Sequence, residues 1–422
     1  MMRASTVPQA WPAGPALLSP RAARVIARRL VERLRQPDVT IPLAIAFGVR
    51  VVVMLAASVL LRFVIGGRHS PFASINLIGA WNRKDAIWYL AIAQSGYDYS
   101  PVDYSRANFF PLYPMLVAFV GRVAQAVGLP EPYTLAGMAI SWVTFAAACV
   151  ALYQIALLKF DRRVATGAIL LLSVFPFSFY YGAPYTESIY LVCVAIAFLA
   201  VERRNWWLAA AVAGIASASR PPGLMLGACV GLAYLIDYAR ARRWLRWDML
   251  SLALIPTGAL AYMAYCWARW GDPLAYVKTS KAGWHSGLQL TAPRLAWQLV
   301  TTADTWHIVI HPHVWILPSY LLITLHLEYS ALTLLCLATT PFVWRKMGPV
   351  YAVFLLLSVA APLLNFPTLN SLGRYLSVLF PAFFILAWAL RDHPRYLYVL
   401  AGLSLIALCG YASYFIAGFG LS

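Results

Sequence analysis

Apolar runs fill most of the chain, and polar residues fall in short breaks between them. The runs lie near 41–65, 111–128, 134–157, 164–181, 186–201, 206–219, 222–238, 249–268, 317–342, 349–364, 372–390 and 395–418. A helix that crosses a bilayer needs about 20 mostly apolar residues, and the longer runs supply them. Five breaks are basic: Lys159-Phe-Asp-Arg-Arg163, Glu202-Arg-Arg204, Arg240-Ala-Arg-Arg243, Arg345-Lys346 and Arg391-Asp-His-Pro-Arg395. Short basic loops stay in the cytoplasm, so these five and the N-terminus are expected inside. Two longer segments rich in aromatic residues, 67–110 and 269–316, then fall outside.

This topology sets a parity condition. An odd number of crossings must connect the outer segment 67–110 to the inner loop 159–163, yet two apolar runs lie between them. Run 111–128 opens with Pro111 and Pro114, carries Arg122 and is short. It reads as an interfacial or re-entrant helix on the outer side. The rival is that loop 159–163 breaks the charge rule. The pattern predicts an all-α polytopic membrane protein with about eleven crossings and interfacial helices in its first outer loop. Runs 206–219 and 222–238 are expected to form a hairpin that turns at Ser219-Arg-Pro-Pro222 near the outer face. No internal repeat or low-complexity linker divides the chain. Residues 1–40 form a basic cytoplasmic segment and 41–418 one transmembrane domain.

Composition agrees with this picture. Hydrophobic residues make up 62% of the chain and charged residues 11%, against about 25% charged in a soluble domain. The net charge of +18 would suit a nucleic-acid partner, but the basic residues sit in separate loops rather than on one face, which excludes it. The basic stretch Arg21–Arg35 either lies on the inner leaflet as a helix or serves as a tail that fixes orientation. No signal-peptide cleavage site is evident. The six cysteines lie inside apolar runs with no metal or CxxC spacing, and read as small buried residues.

With only fifteen carboxylates in the chain, those on the outer side near membrane depth are the informative ones, because a charge there is costly. The segment Trp81-Asn-Arg-Lys-Asp-Ala-Ile-Trp-Tyr-Leu-Ala-Ile-Ala-Gln-Ser-Gly-Tyr97 predicts a short helix with Ile87, Leu90, Ala91 and Ala93 in the interface and Gly96 as its cap. Asp85 sits near its start, where the helix dipole favours a carboxylate. Further along come Asn108-Phe-Phe-Pro-Leu-Tyr-Pro114, Phe175-Pro-Phe-Ser-Phe179, Pro184-Tyr-Thr-Glu-Ser-Ile-Tyr190, Ala218-Ser-Arg-Pro-Pro-Gly223 and Trp270-Gly-Asp-Pro-Leu-Ala275.

In order and spacing these motifs resemble the GPI mannosyltransferase 2 family (PIG-V type) and its bacterial relatives, over about 75–390 and loosely in the last third. One departure matters. Where the family has a Trp-Asp pair, this chain has Lys84-Asp85, which keeps the carboxylate and loses the aromatic neighbour. The resemblance implies a GT-C glycosyltransferase fold and a polyprenyl-phosphate-linked sugar donor, typically the mannose derivative. It also implies transfer at the outer face with inversion. The acceptor stays open among glycan, glycolipid and protein, and membrane lipids are the other partner. No cofactor or metal is called for, since cations of the chain can meet the phosphate.

A hydroxyl acceptor needs a base, and a phosphate leaving group needs cations or helix N-termini. Asp85 is the candidate base. Glu187 either marks a helix N-terminus, or it binds acceptor hydroxyls or assists Asp85. Arg220 is the best phosphate ligand, with snorkelling to the headgroups as its alternative. Arg374, in Asn370-Ser-Leu-Gly-Arg-Tyr375, opposes the dipole of an outer helix start and so is expected to serve an anion, with topology or lipid-headgroup contact as its alternative. Lys278 could guide the donor phosphate, as could Lys281, or both are solvated. Tyr97, Asn108 and Tyr113 complete the candidate substrate-binding set. Tyr97, Tyr99, Tyr104 and Trp284 suit either sugar stacking or an interfacial belt. His307, His311 and His313 lack enough further ligands and read as interfacial packing rather than a metal site. The competing functions are a lipid or solute transporter or flippase, favoured by broken helices, and a non-catalytic scaffold.

Overall fold

The computed structural model describes residues 32, 35–66, 76–241, 247–291, 294, 318–366 and 372–418. The expected basic stretch before residue 32 and the three histidines at 307, 311 and 313 lie outside the described residues. Helix α1 (Pro37–Gly66) is followed by the short α2 (Asp85–Ser95), α3 (Leu112–Ala126), α4 (Pro132–Lys159), α5 (Arg162–Val174) and α6 (Glu187–Glu202). Then come α7 (Trp206–Ser217), α8 (Pro222–Ala241), a 3-10 segment Trp247–Leu254, α9 (Thr257–Trp270) and α10 (Ala275–Trp284). The last five are α11 (Pro318–Lys346), α12 (Pro349–Asn365), α13 (Leu372–Ser377), α14 (Phe380–Ala389) and α15 (Pro394–Ile416). No strand occurs among the described residues.

Local signals fix several of these boundaries. Asp161 caps α5 by accepting from Val164 N at 2.9 Å, and Asn205 caps α7 by accepting from Leu208 N at 3.1 Å. Proline opens α4, α12, α14 and α15, where its missing N–H costs nothing. The predicted helix after Trp81 begins at Asp85 and ends at Gly96, whose φ of 79° suits glycine. Leu90 and Ala93 face inward from it, whereas Ile87 points out.

Helix α6 is the centre of the bundle. Ile189, Leu191, Val194, Ala195, Ala197 and Phe198 are all buried, and α4 and α7 flank it. Small residues on α7 (Ala209, Ala210, Ala213 and Ala216) let the backbones approach closely, as in lipid-embedded bundles. The peripheral helices face the other way. Val51, Leu55 and Val59 of α1, and Val399, Leu403 and Ile406 of α15, are exposed apolar residues. An apolar exterior of this extent belongs in lipid.

Among the described residues, five helices are long and apolar enough to cross a membrane, and six if the bent pair Trp247–Leu254 and α9, which meet at 43°, is one span. This is a multi-pass membrane protein. Among these residues a total of eleven requires the shorter α5, α6, α7, α12 and α13–α14 to cross as well. Helix α3 is two-faced: Tyr113, Val117, Gly121 and Ala124 are buried, whereas Met115, Phe119 and Val123 are exposed. Its 15 residues rise only about 22 Å at 1.5 Å per residue, short of the roughly 30 Å hydrocarbon core.

Candidate active site

The hairpin α7–α8 turns at Ser219–Pro221, as expected. A Cβ at Gly223 would collide with the carbonyl of Ala216, so only glycine lets α8 start this close to the end of α7. With 12 residues, α7 rises about 18 Å, short of the roughly 30 Å hydrocarbon core. The tip carries Arg220, which is buried.

Four of the predicted site residues meet here, from four separate elements. Glu187, the first residue of α6, is wholly buried, and its Oε1 accepts from Arg220 Nη1 at 2.9 Å and from Arg374 Nε at 2.7 Å. Arg374 lies on α13, where a Cβ at Gly373 would run into the Phe177 ring, so glycine lets this short helix press against the 175–179 motif. Its Nη1 donates to Asp85 Oδ2 at 2.6 Å. Two carboxylates and two guanidinium groups therefore form one continuous, charge-balanced chain. Charge-assisted bonds of this kind are about twice as strong as neutral ones. The Asp85 side chain keeps 25% of its exposure and Glu187 none, so Asp85 alone of the two carboxylates is open to a substrate.

Tyrosines frame the chain. The Arg374 guanidinium lies over Tyr180, Tyr185 and Tyr375, and that of Arg220 over Tyr190 and Tyr375. Arg220 also lines a small pocket with Tyr190, Met225, Ser358, Ala361 and Tyr375. Apart from Arg220, Ser358 and the two tyrosine hydroxyls, its walls are apolar.

The motifs that are separate in sequence hold this site together. Tyr185 Oη donates to the carbonyl of Arg83 at 3.1 Å and so fixes the loop before Asp85. Tyr89, one turn after Asp85, lies 3.3 Å from Thr186 Oγ1. Leu112 N donates to the carbonyl of Ala218 at 3.0 Å and joins the Phe-Phe-Pro-Leu-Tyr-Pro segment to the Arg220 turn. Lys84 has φ 54°, an uncommon conformation for a residue with a Cβ, and this twist presents Asp85 at the start of α2.

The other candidates stand apart from the charged chain. Tyr113 is wholly buried and its hydroxyl donates to the Gly137 carbonyl at 2.9 Å, a commitment to the scaffold. Tyr97 Oη donates to the Phe109 carbonyl at 2.9 Å, and Asn108 closes the 3-10 turn Arg106–Asn108. Lys278 Nζ pairs with Asp272 Oδ2 at 2.7 Å, and Tyr99 Oη donates to the same oxygen at 2.7 Å. The Lys278 ammonium and the Tyr99 hydroxyl hold the Asp272 carboxyl below its usual range. Burial, and then the bond to Asp272, push the Tyr99 hydroxyl up to about 12. Trp284 packs edge-on against Tyr104, and with Trp88 and Phe109. Among the described residues no cluster of His, Cys, Asp and Glu could hold a metal ion, and the six cysteines are free thiols.

One expectation changes in content. Arg374 does serve an anion, but in this structure the anions are the protein's own carboxylates. Arg50, inside the first apolar run, carried no prediction, yet it is buried at 2% exposure. It donates to the carbonyls of Ser173 and Ser178, and to Ser178 Oγ at 2.9 Å. A basic residue in the middle of a spanning run was the available signal. The tyrosines around the arginines were also missed, although Tyr185, Tyr190 and Tyr375 lie in the motifs themselves.

Comparison with known proteins bears on the motifs that build this chain. Residues 72–228 match the family model described as Mannosyltransferase (PIG-V). That stretch, well under half of the chain, contains Asp85, Glu187 and Arg220, and over it the PIG-V resemblance is shown. No curated protein matches the chain. Among solved structures, the Archaeoglobus fulgidus oligosaccharyltransferase in complex with Zn and sulfate is similar at a TM-score of 0.47 and 14% identity, over 88% of this chain and 53% of that one. ArnT from Cupriavidus metallidurans bound to undecaprenyl phosphate is similar at 0.47 and 16% identity, over 85% and 64%. Archaeal oligosaccharyltransferase AglB from A. fulgidus, in complex with an inhibitory peptide and a dolichol-phosphate, gives 0.43 and 13%, over 89% and 56%. The chain thus spans between half and two thirds of the length of these proteins.

Proposed function

We propose that this protein is a membrane glycosyltransferase of GT-C type. In this reading it moves a hexose, mannose by its family resemblance, from a polyprenyl phosphate to a hydroxyl acceptor at the outer face. The observation that carries the reading is the meeting of a partly open carboxylate, Asp85, with two buried arginines, on motifs of which three lie in the PIG-V-matched stretch. An alkyl hydroxyl is a poor nucleophile until a base takes its proton. Asp85 takes that proton as the acceptor oxygen attacks the anomeric carbon. The carbon–oxygen bond to phosphate breaks, its electron pair stays on the phosphate, and attack from the opposite side inverts the centre. Guanidinium groups stabilise the charge that gathers on the phosphate. The parity condition and the two-faced α3 support an outer placement of the site, with 111–128 lying in the interface.

The test is transfer in vitro. Purified protein is offered a panel of polyprenyl-phosphate sugars with candidate acceptors, and products are read by mass spectrometry. Transfer from the mannose donor, lost in Asp85→Asn with folding intact, is the expected result. A parent protein that transfers nothing from any lipid-linked sugar but moves lipid or solute across vesicles contradicts it.

A further inference from the structure

We infer that Arg374 is an exchanged cation: in the resting site it neutralises Asp85, and during transfer it passes to the lipid phosphate. The inference rests on the reading of the site as a lipid-phosphate glycosyltransferase. Its starting point is a conflict within the site. The guanidinium bonded to Asp85 Oδ2 at 2.6 Å occupies an oxygen that a general base must offer to the acceptor proton. The acceptor hydroxyl and Arg374 therefore compete for the same carboxylate.

Charge balance resolves the conflict. The donor phosphate carries one negative charge in its diester linkage to the sugar. When the anomeric carbon leaves it, the phosphate becomes a monoester and gains a second charge. In the same step the acceptor proton neutralises Asp85. One anion next to Arg374 disappears as another grows. A cation able to reach both follows the charge without any net change in the site.

The geometry assigns this role to Arg374 rather than Arg220. Arg374 is bonded through two different nitrogens: Nε to Glu187, the immobile end, and Nη1 to Asp85, the partly open end. Glu187 is fixed by its place at the start of α6, by total burial and by the second bond from Arg220. Its Oε2 is buried and makes no hydrogen bond among the described residues, so Glu187 can accept a second N–H as the guanidinium turns. The rings of Tyr180, Tyr185 and Tyr375 give the cation stacking surfaces that do not dictate its rotation. Tyr375 also lines the Arg220 pocket, so the site of the exchange adjoins it. Glu187 is accordingly a positioning residue: it touches no substrate and holds both arginines by one oxygen.

Competition between Asp85 and phosphate for one cation has a consequence that a merely structural ion pair does not. Removing the charge of Asp85 must strengthen phosphate binding. The experiment measures binding of a polyprenyl monophosphate to the full-length protein in neutral-lipid nanodiscs, with no sugar transfer involved. Asp85→Asn is expected to bind about tenfold tighter than the parent, a coupling of ordinary size between linked sites. The gain is expected to vanish when Asp85→Asn is combined with Arg374→Gln, or with Arg374→Lys, which keeps a charge but cannot span both partners. Asp85→Asn binding no tighter than the parent, or a gain that survives the loss of Arg374, overturns the exchange and leaves the donor reading standing. No binding by the parent or any variant overturns both.

Discussion

Arg50 and Arg374 are both buried in the bundle, and they are neutralised in opposite ways. The contacts of Arg50 are neutral: carbonyls of Ser173 and Ser178, the Ser178 hydroxyl and the face of Phe145. Ser173 lies in the last turn of α5, where unpaired carbonyls carry the negative end of the helix dipole. Arg50 thus ties α1 to the C-terminal end of α5, and nothing in that arrangement favours movement. Arg374 meets two carboxylates on different elements, one closed off and one open. The difference teaches that a buried cation among dipoles is a rivet, whereas one shared between charges is a site. Partner type and accessibility, rather than burial, separate the two.

The comparison can be broken in several ways, and the largest effect is expected at the open carboxylate. Asp85→Asn keeps the size of the side chain and removes the base, and transfer should fall by about 10²–10⁴-fold, the usual contribution of general base catalysis. Initial rates at saturating donor check this, and a rate within a few-fold of the parent would remove Asp85 from that role. Next comes Glu187→Gln, which leaves Arg220 without its carboxylate and Arg374 with Asp85 alone. Breaking one side of a buried ion pair costs about 3–5 kcal/mol, so the thermal midpoint in detergent should drop, and transfer with it.

Arg50→Met sharpens the contrast. It strips the partner from the buried Ser178 carbonyl, at a cost of about 1–3 kcal/mol when left unsatisfied, while the Ser173 carbonyl keeps the Ser178 hydroxyl. The midpoint should fall, while transfer per folded molecule stays near that of the parent. Lost transfer in a folded Arg50→Met protein would show that the rivet is part of the site. The smallest effect is expected at Lys278, whose partly exposed pair with Asp272 is worth about 0–1 kcal/mol. The Asp272 carboxyl is held below its ordinary value. Its contribution is therefore present above the normal carboxylate range and is lost only as pH falls through the depressed value. Lys278→Met should narrow the acid side of the stability profile, as followed by unfolding at a series of pH values, and barely change transfer at neutral pH.

Much of this architecture can be read from the sequence, for local reasons. The helix from Asp85 to Gly96 and the hairpin that turns at Arg220 are signalled by glycine, proline and apolar spacing within a few residues. The pairing of Arg374 with Asp85 spans 289 positions, and no local pattern encodes it. The sequence shows only that Arg374 opposes its own helix dipole and needs an anion. Arg50 escaped notice because the surrounding apolar run reads as a span with or without it. The motif order also grouped Tyr113 with the substrate-binding residues, although its hydroxyl is spent on Gly137. A motif's spacing marks residues that build a site as readily as those that face it.

The most direct measurement of the central claim is the anomeric outcome of a single reaction. Purified protein, a polyprenyl-phosphate mannose of defined configuration and an acceptor alcohol are incubated, and the product is analysed by mass spectrometry and NMR. The account predicts a mannosylated acceptor of inverted configuration from the parent and none from a folded Asp85→Asn variant. Retained configuration, or equal yields from the two proteins, would contradict it.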